Sequence, residues 1–148
     1  MPAKPTSQIR EIIRETREIY ADLAKRPVSR DCTGRAECCQ FKLTGRRPHL
    51  TRGEAITTFS ALRASGRKEL PPSIKGACPL LHPQTLRCLV YEGRPFGCRT
   101  HFCPAAGGMI DRRDVLDLIR RLETIDAAHG GDGPKPIESA LRAVEGMF

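Results

Sequence analysis

Residues 7–25 read SQIREIIRETREIYADLAK, and their spacing sets the fold class. Ile9, Ile12, Ile13, Ile19, Tyr20 and Leu23 recur at the intervals that place side chains on one face of an α-helix. Arg and Glu fill the remaining positions, with Glu11–Arg14 and Glu18–Asp22 along the wet side. Ser7 is placed to cap the helix, and Pro27 cannot continue it. The stripe is broad and carries no reactive side chain, so this is a docking helix.

The same period recurs downstream. Thr51-Arg52-Gly53-Glu54 has the spacing of a capping box, with Thr51 as N-cap and Glu54 reaching back to it. The helix that follows turns Ala55, Ile56, Phe59 and Leu62 inward, ends near Gly66, and is closed off by Pro71-Pro72. A further amphipathic helix spans Asp111 to Ala128 through Val115, Leu118, Ile119, Leu122 and Ile125. Gly130-Gly131 ends it, and Gly133-Pro134 forms a linker. Residues 137–147 form a short last helix around Ile137, Ala140, Leu141 and Val144. Two short pieces read as strands, Gln40 to Thr44 and Leu86 to Tyr91, and there is no internal repeat. The expectation is a mainly α chain with a small irregular or two-stranded β element. It is read as one compact domain over 1–148, with the docking helix at 7–26, a cysteine-bearing core at 32–104 and C-terminal helices at 111–148.

A chain of 148 residues can bury a core without staples. It has no Trp and only 5% aromatics, so that core rests on Ile, Leu, Val and Ala. The 28% charged content and the lack of a long apolar run exclude a membrane-spanning helix. Met1 to Arg10 lacks the apolar stretch of a signal peptide, which points to a cytoplasmic protein, bacterial in style. The net charge of +8 raises contact with nucleic acid as a reading, with Arg46-Arg47, Arg52, Arg63, Arg67 and Lys68 as the basic stretch. Few aromatics accompany it for base stacking. Arg112-Arg113 and Arg120-Arg121 read as a solvated helix face. Four metal-bound thiolates would cancel about four of the positive charges.

Seven cysteines stand at 32, 38, 39, 78, 88, 98 and 103. In a reducing compartment such density points to metal binding or catalysis, and an odd number argues against a fully paired disulfide framework. No C-x-x-C occurs, which counts against zinc-finger and thioredoxin readings, and the spacing matches neither common ferredoxin pattern. Residues 73–108 are rich in Gly and Pro and bury little apolar surface, so something other than a core must hold them. Cys78 lies in GACPLL, Cys88 in LRCLVY, and Cys98 and Cys103 in RPFGCRTHFCP. Each thiol stands at a turn or strand end. Arg87, Arg94 and Arg99 lie close in sequence, and cations there would offset the charge of a buried tetrathiolate centre. The competing reading is that free Cys is a small apolar core residue. It suits one cysteine better than four in such a stretch.

Other residues carry alternatives. His101, between Cys98 and Cys103, is a candidate ligand or supporting donor, and His82 follows Cys78 by four residues. His49 and His129 read as turn and helix-end residues, the latter suited to a helix C-terminus. A cysteine enzyme would use Cys98 beside Arg99 and His101, with no third orienting group nameable. A zinc deaminase is excluded, because the H-x-E and P-C-x-x-C elements are missing.

Five pieces then occur in order: Cys38-Cys39-Gln40-Phe41, Leu50-Thr51-Arg52-Gly53-Glu54-Ala55, Cys78-Pro79-Leu80, Cys88 to Pro95, and Cys98-Arg99 to Cys103. Together they resemble the YkgJ-type cysteine-cluster family, also described as the CxxxCC or zinc- or iron-chelating domain. The resemblance runs from about Cys32 to Pro104. It implies binding of Zn2+ or a [4Fe–4S] cluster, both of which stay open, with a structural or redox role. Related clusters accompany flagellin lysine methylation in larger proteins, but no glycine-rich loop for S-adenosylmethionine occurs here. Members often open with C-x-x-C-x-x-C-C, and Arg35 stands where that pattern expects a thiol. The resemblance implies a main ligand set drawn from Cys39, Cys78, Cys88, Cys98 and Cys103. Cys32 and Cys38 would join it or serve a reduced second centre, and Arg35, Arg94 and Arg99 would balance charge. The expected partners are the metal ion or cluster and a redox or protein partner, with no membrane. A zinc-stabilised nucleic-acid or protein adaptor using the basic stretch, and a cysteine-based enzyme, are the other readings.

Overall fold

The computed structural model describes residues 6–26, 47–73, 76–85, 87–100 and 110–148. Within them the chain is mainly helical, with one two-stranded antiparallel sheet. The α-helices are α1 (Ser7–Ala24), α2 (Arg52–Ala64), α3 (Phe96–Thr100), α4 (Leu116–Ala128) and α5 (Ile137–Glu145). The strands are β1 (His49–Leu50) and β2 (Lys135–Pro136), paired His49 to Pro136 and Leu50 to Lys135.

The docking helix forms as its period requires. Ile9, Ile12, Ile13, Ile19, Tyr20 and Leu23 are all buried, and each such side chain contributes about 1.5–3 kcal/mol when removed from water. The cap is Thr6 rather than Ser7: its Oγ1 accepts from the Ile9 amide at 3.2 Å. A side-chain oxygen satisfies the amide two or three residues on, and here the residue before Ser7 is the one in reach. The helix ends at Ala24, so the stop expected from Pro27 lies outside the described residues.

Helix α2 is the centre of the molecule, with α1, α4 and α5 packed around it. This explains why Gly53 to Phe59 is an unbroken run of buried residues rather than a stripe. Its threonines are tolerated inside because they bond to carbonyls: Thr57 Oγ1 to Gly53 at 2.8 Å and Thr58 Oγ1 to Gly93 at 3.3 Å. Gly53 marks a close approach of three helices, since a Cβ there would stand 3.0 Å from both Thr16 Oγ1 and Ile125 Cγ2. At the far end of α2, Phe59 stacks on Phe148 with ring centroids 5.2 Å apart.

Helix α4 opens with a 3-10 turn, Arg112–Val115, capped by Asp111, whose carboxylate accepts from the Arg113 amide at 3.0 Å. Asp126, near its end, is buried. Its carboxylate accepts from the backbone amides of Arg52 at 2.7 Å and Gly133 at 2.9 Å, tying the start of α2 to the glycine loop that leads into β2.

The expected strand Leu86 to Tyr91 is corrected. Over its described part, Cys88 forms a single antiparallel bridge with Leu81, and Tyr91 starts a 3-10 turn, Tyr91–Gly93. Val90 has already left the extended region, with ψ at 39°, so the ladder stops after one rung. The expected strand Gln40 to Thr44 lies outside the described residues. Among the described residues no helix is long and apolar enough to cross a membrane.

Candidate metal centre

Three of the seven predicted ligands lie in the described residues, and none of the three is in a disulfide. Cys78 and Cys88 belong to one small hairpin. The Cys78 carbonyl accepts from the Leu81 amide at 3.0 Å, Leu80 accepts from Leu89 at 2.8 Å, and the His82 amide donates to Arg87 at 2.9 Å. Cys88 therefore faces Leu81 across the bridge. Cys78 is buried and Cys88 half-buried. The apolar neighbours Leu80 and Val90 anchor the hairpin in the core.

Cys98 is carried by α3. Pro95 starts that turn, its carbonyl accepting from the Cys98 and Arg99 amides at 3.0 and 3.2 Å. Phe96 and Thr100 are buried on the inner side, while Cys98 is half-buried. Ile110 donates to the Thr100 carbonyl at 2.9 Å. A cleft of about 310 Å3 runs beside α3, its lining including Glu54, Phe96, Gly97, Thr100, Ile110 and Leu122.

The charged residues around Cys98 hold the backbone. Arg99 donates from Nε to the Arg94 carbonyl at 2.7 Å and from Nη2 to the Glu92 carbonyl at 2.6 Å. Its guanidinium lies over the Tyr20 ring, 4.2 Å from the centroid. Arg94 likewise donates to the Tyr91 carbonyl at 2.9 Å and sits 3.9 Å over the Tyr91 ring. Desolvation lowers the pKa of Arg99. On the other side of Tyr20, burial pushes the Glu54 carboxyl up from its ordinary 4.5, against the pull of hydrogen bonds from Thr51 and Phe96. Burial first, then the Glu54 charge, raises the Tyr20 phenol well above its ordinary value.

The remaining sequence candidates separate clearly. His82 is occupied in its own turn, where Nδ1 accepts from the Gln84 and Thr85 amides, both at 3.2 Å. His49 lies on the exposed side of β1, with Nδ1 3.1 Å from the Arg47 carbonyl. His129 is the C-cap residue of α4, as expected, and meets Gln8 at 3.2 Å. Cys32, Arg35, Cys38, Cys39, His101 and Cys103 lie outside the described residues. Arginines of the basic stretch are used internally: Arg47 pairs with Glu138, Arg52 reaches the Met147 sulfur at 3.6 Å, and Arg63 lies over Phe148.

The donor chemistry fits a thiophilic metal, since the described sulfurs are unbridged and stand on turns and short elements. It is incomplete, because among the described residues no three His, Cys, Asp or Glu side chains gather closely enough to hold an ion. A four-thiolate set therefore draws at least two sulfurs from Cys32, Cys38, Cys39 and Cys103.

Residues 31–116 match the CxxCxxCC family model, described as "Putative zinc- or iron-chelating domain". The chain belongs to this family. All seven cysteines fall inside the matched span of the CxxCxxCC domain, as do α2, the hairpin and α3. Helix α1 and most of α4 and α5 lie outside it and form the surrounding frame. Comparisons with curated proteins and with solved structures give no match.

Sequence reasoning missed Glu54 as more than a local cap. Its carboxylate is buried and accepts from the Phe96 amide at 2.8 Å, at the start of the Cys98 helix. A Glu in a capping box that is followed by a threonine-rich buried run was the available signal.

Proposed function

We propose that this chain is a metal-binding module in which cysteine thiolates hold zinc or an iron–sulfur cluster, in a structural or redox role. The observation that carries this is the confinement of all seven cysteines to the matched span 31–116 of a zinc- or iron-chelating family. The main ligands are drawn from Cys39, Cys78, Cys88, Cys98 and Cys103, with Cys32 and Cys38 joining or forming a second, reduced centre. When bound, the metal would cross-link the cysteine-bearing segments to one another, and a cluster would add one-electron chemistry. The motif in the family name, laid over residues 32–39, puts Arg35 where its second cysteine would stand. That favours one full site over two.

Arg94 and Arg99, which would balance the charge of the centre, also clamp the backbone around Cys98. The alternative adaptor function has less support, because Arg47, Arg52 and Arg63 are spent on contacts within the chain. Anaerobic purification tests the proposal. A brown protein with stoichiometric iron and sulfide identifies a cluster, and a colourless one with equimolar zinc identifies the structural version. Metal-free protein with seven titratable thiols and an intact fold refutes both.

A further inference from the structure

We propose that Glu54 is a positioning residue for the Cys98 thiolate, tying the short helix that carries it to the helical frame and so setting the affinity of the centre. This rests on the reading of Cys98 as a ligand.

A capping-box glutamate ordinarily closes on its own helix and faces water. Glu54 keeps that role with one oxygen, Oε2, which accepts from the Thr51 amide at 2.9 Å and the Thr51 hydroxyl at 3.1 Å. The other oxygen leaves the helix. Oε1 accepts from the Phe96 amide at 2.8 Å and meets the Tyr20 hydroxyl at 3.5 Å. Glu54 is only 3% exposed. One buried group thus joins α1, α2 and α3.

The cysteine helix needs that tie. A five-residue helix is a single turn and cannot fix its own orientation. It is pinned two residues before the sulfur by Glu54 at Phe96, and one residue after it by Arg99. Arg99 is bonded to two carbonyls and stacked on the same Tyr20. Metal–ligand bonds tolerate about 0.2 Å of displacement, so a backbone pin two residues away acts directly on the sulfur's reach. Loss of such outer support costs roughly 10–100-fold in metal affinity.

The test titrates the full chain with Co2+ and Zn2+ against a chelator. Glu54→Gln keeps the shape but sets an NH2 group against one of the donors that the carboxylate satisfies. Asp126→Asn makes the same change at a second buried carboxylate, whose described hydrogen bonds come from Arg52 and Gly133 rather than from the Cys98 helix. Both variants lower the unfolding temperature. Only Glu54→Gln weakens Co2+ binding, by roughly 10–100-fold, and alters the thiolate–cobalt absorption. Wild-type affinity in Glu54→Gln, or an equal loss in Asp126→Asn, overturns the proposal. Cys98→Ser separates the two levels. If it binds Co2+ as the wild type does, Cys98 is no ligand and the positioning role falls with it. If it weakens binding while Glu54→Gln does not, the positioning role alone fails. Should Glu54→Gln not fold, Glu54→Asp decides: its carboxylate falls one methylene short of Phe96, so weakened Co2+ binding supports the role and wild-type affinity overturns it.

Discussion

Gly93→Ala tests how the cysteine-bearing segment docks on the central helix. A Cβ at Gly93 would lie 2.6 Å from the Cβ of Ala61 on α2. Carbon atoms in ordinary contact stand about 3.5–4.0 Å apart, so the turn must retreat by roughly 1 Å. Both carbons are bonded directly to backbone, and no rotamer change relieves the clash. Gly93 does not sit in the left-handed region, so backbone strain does not enter. The retreat also stretches the bond from the Thr58 hydroxyl to the Gly93 carbonyl, already 3.3 Å long. Overpacking of this kind costs about 1–3 kcal/mol. Ala61→Gly removes the opposing carbon and by itself costs about 0.5–1 kcal/mol, the price of glycine inside a helix. The double variant should then be more stable than the sum of the single losses by about 1–3 kcal/mol. Denaturant unfolding of the four proteins, at equal metal loading, gives that coupling energy. A neutral Gly93→Ala, or additivity within about 0.5 kcal/mol, refutes the docking geometry.

Two further predictions concern charge. Because burial raises the Glu54 pKa above its ordinary 4.5, the pH-dependent part of its contribution to stability is complete below that pH and is lost as pH rises through the folded value. The stability difference between wild type and Glu54→Gln should therefore shrink from acid toward neutral pH; a difference that widens contradicts the assignment. On the surface, Arg26 reaches Asp117 Oδ1 at 2.9 Å and holds that carboxyl down at about 2. Arg26→Ala should return it toward 3.8 in a carboxyl NMR titration. Unfolding should change little at physiological salt, because the pair is exposed. An Asp117 pKa that stays near 2 in the variant refutes the pairing.

Helices α1, α4 and α5 were legible from their repeated apolar spacing, and α2 from its capping box and apolar positions. The six apolar residues of α1 and the capping box of α2 appear as read. Two features carried no such signal. The β1–β2 pair joins two-residue strands from distant parts of the chain, too short to show any alternation. The run Leu86 to Tyr91 looked like a strand because local composition cannot tell a turn from an extended segment, and among its described residues only Cys88 makes a rung. At the candidate site, the cysteines were legible as candidate donors, and the contacts that hold the Cys98 helix were not. Glu54 reads locally as a cap, while its second partner, Phe96, lies 42 residues on. Arg99 reads as charge beside sulfur, while its donors go to the carbonyls of Glu92 and Arg94. Such contacts exist only after the helices have packed.

X-ray absorption at the metal edge of anaerobically purified protein addresses the central claim most directly. Thiolate ligation predicts a first shell of about four sulfurs at about 2.3 Å, for zinc as measured at its own edge, with an added iron–iron shell if the centre is a cluster. A first shell of nitrogen and oxygen alone would contradict the account, because the cysteines confined to residues 31–116 would then not be the ligands.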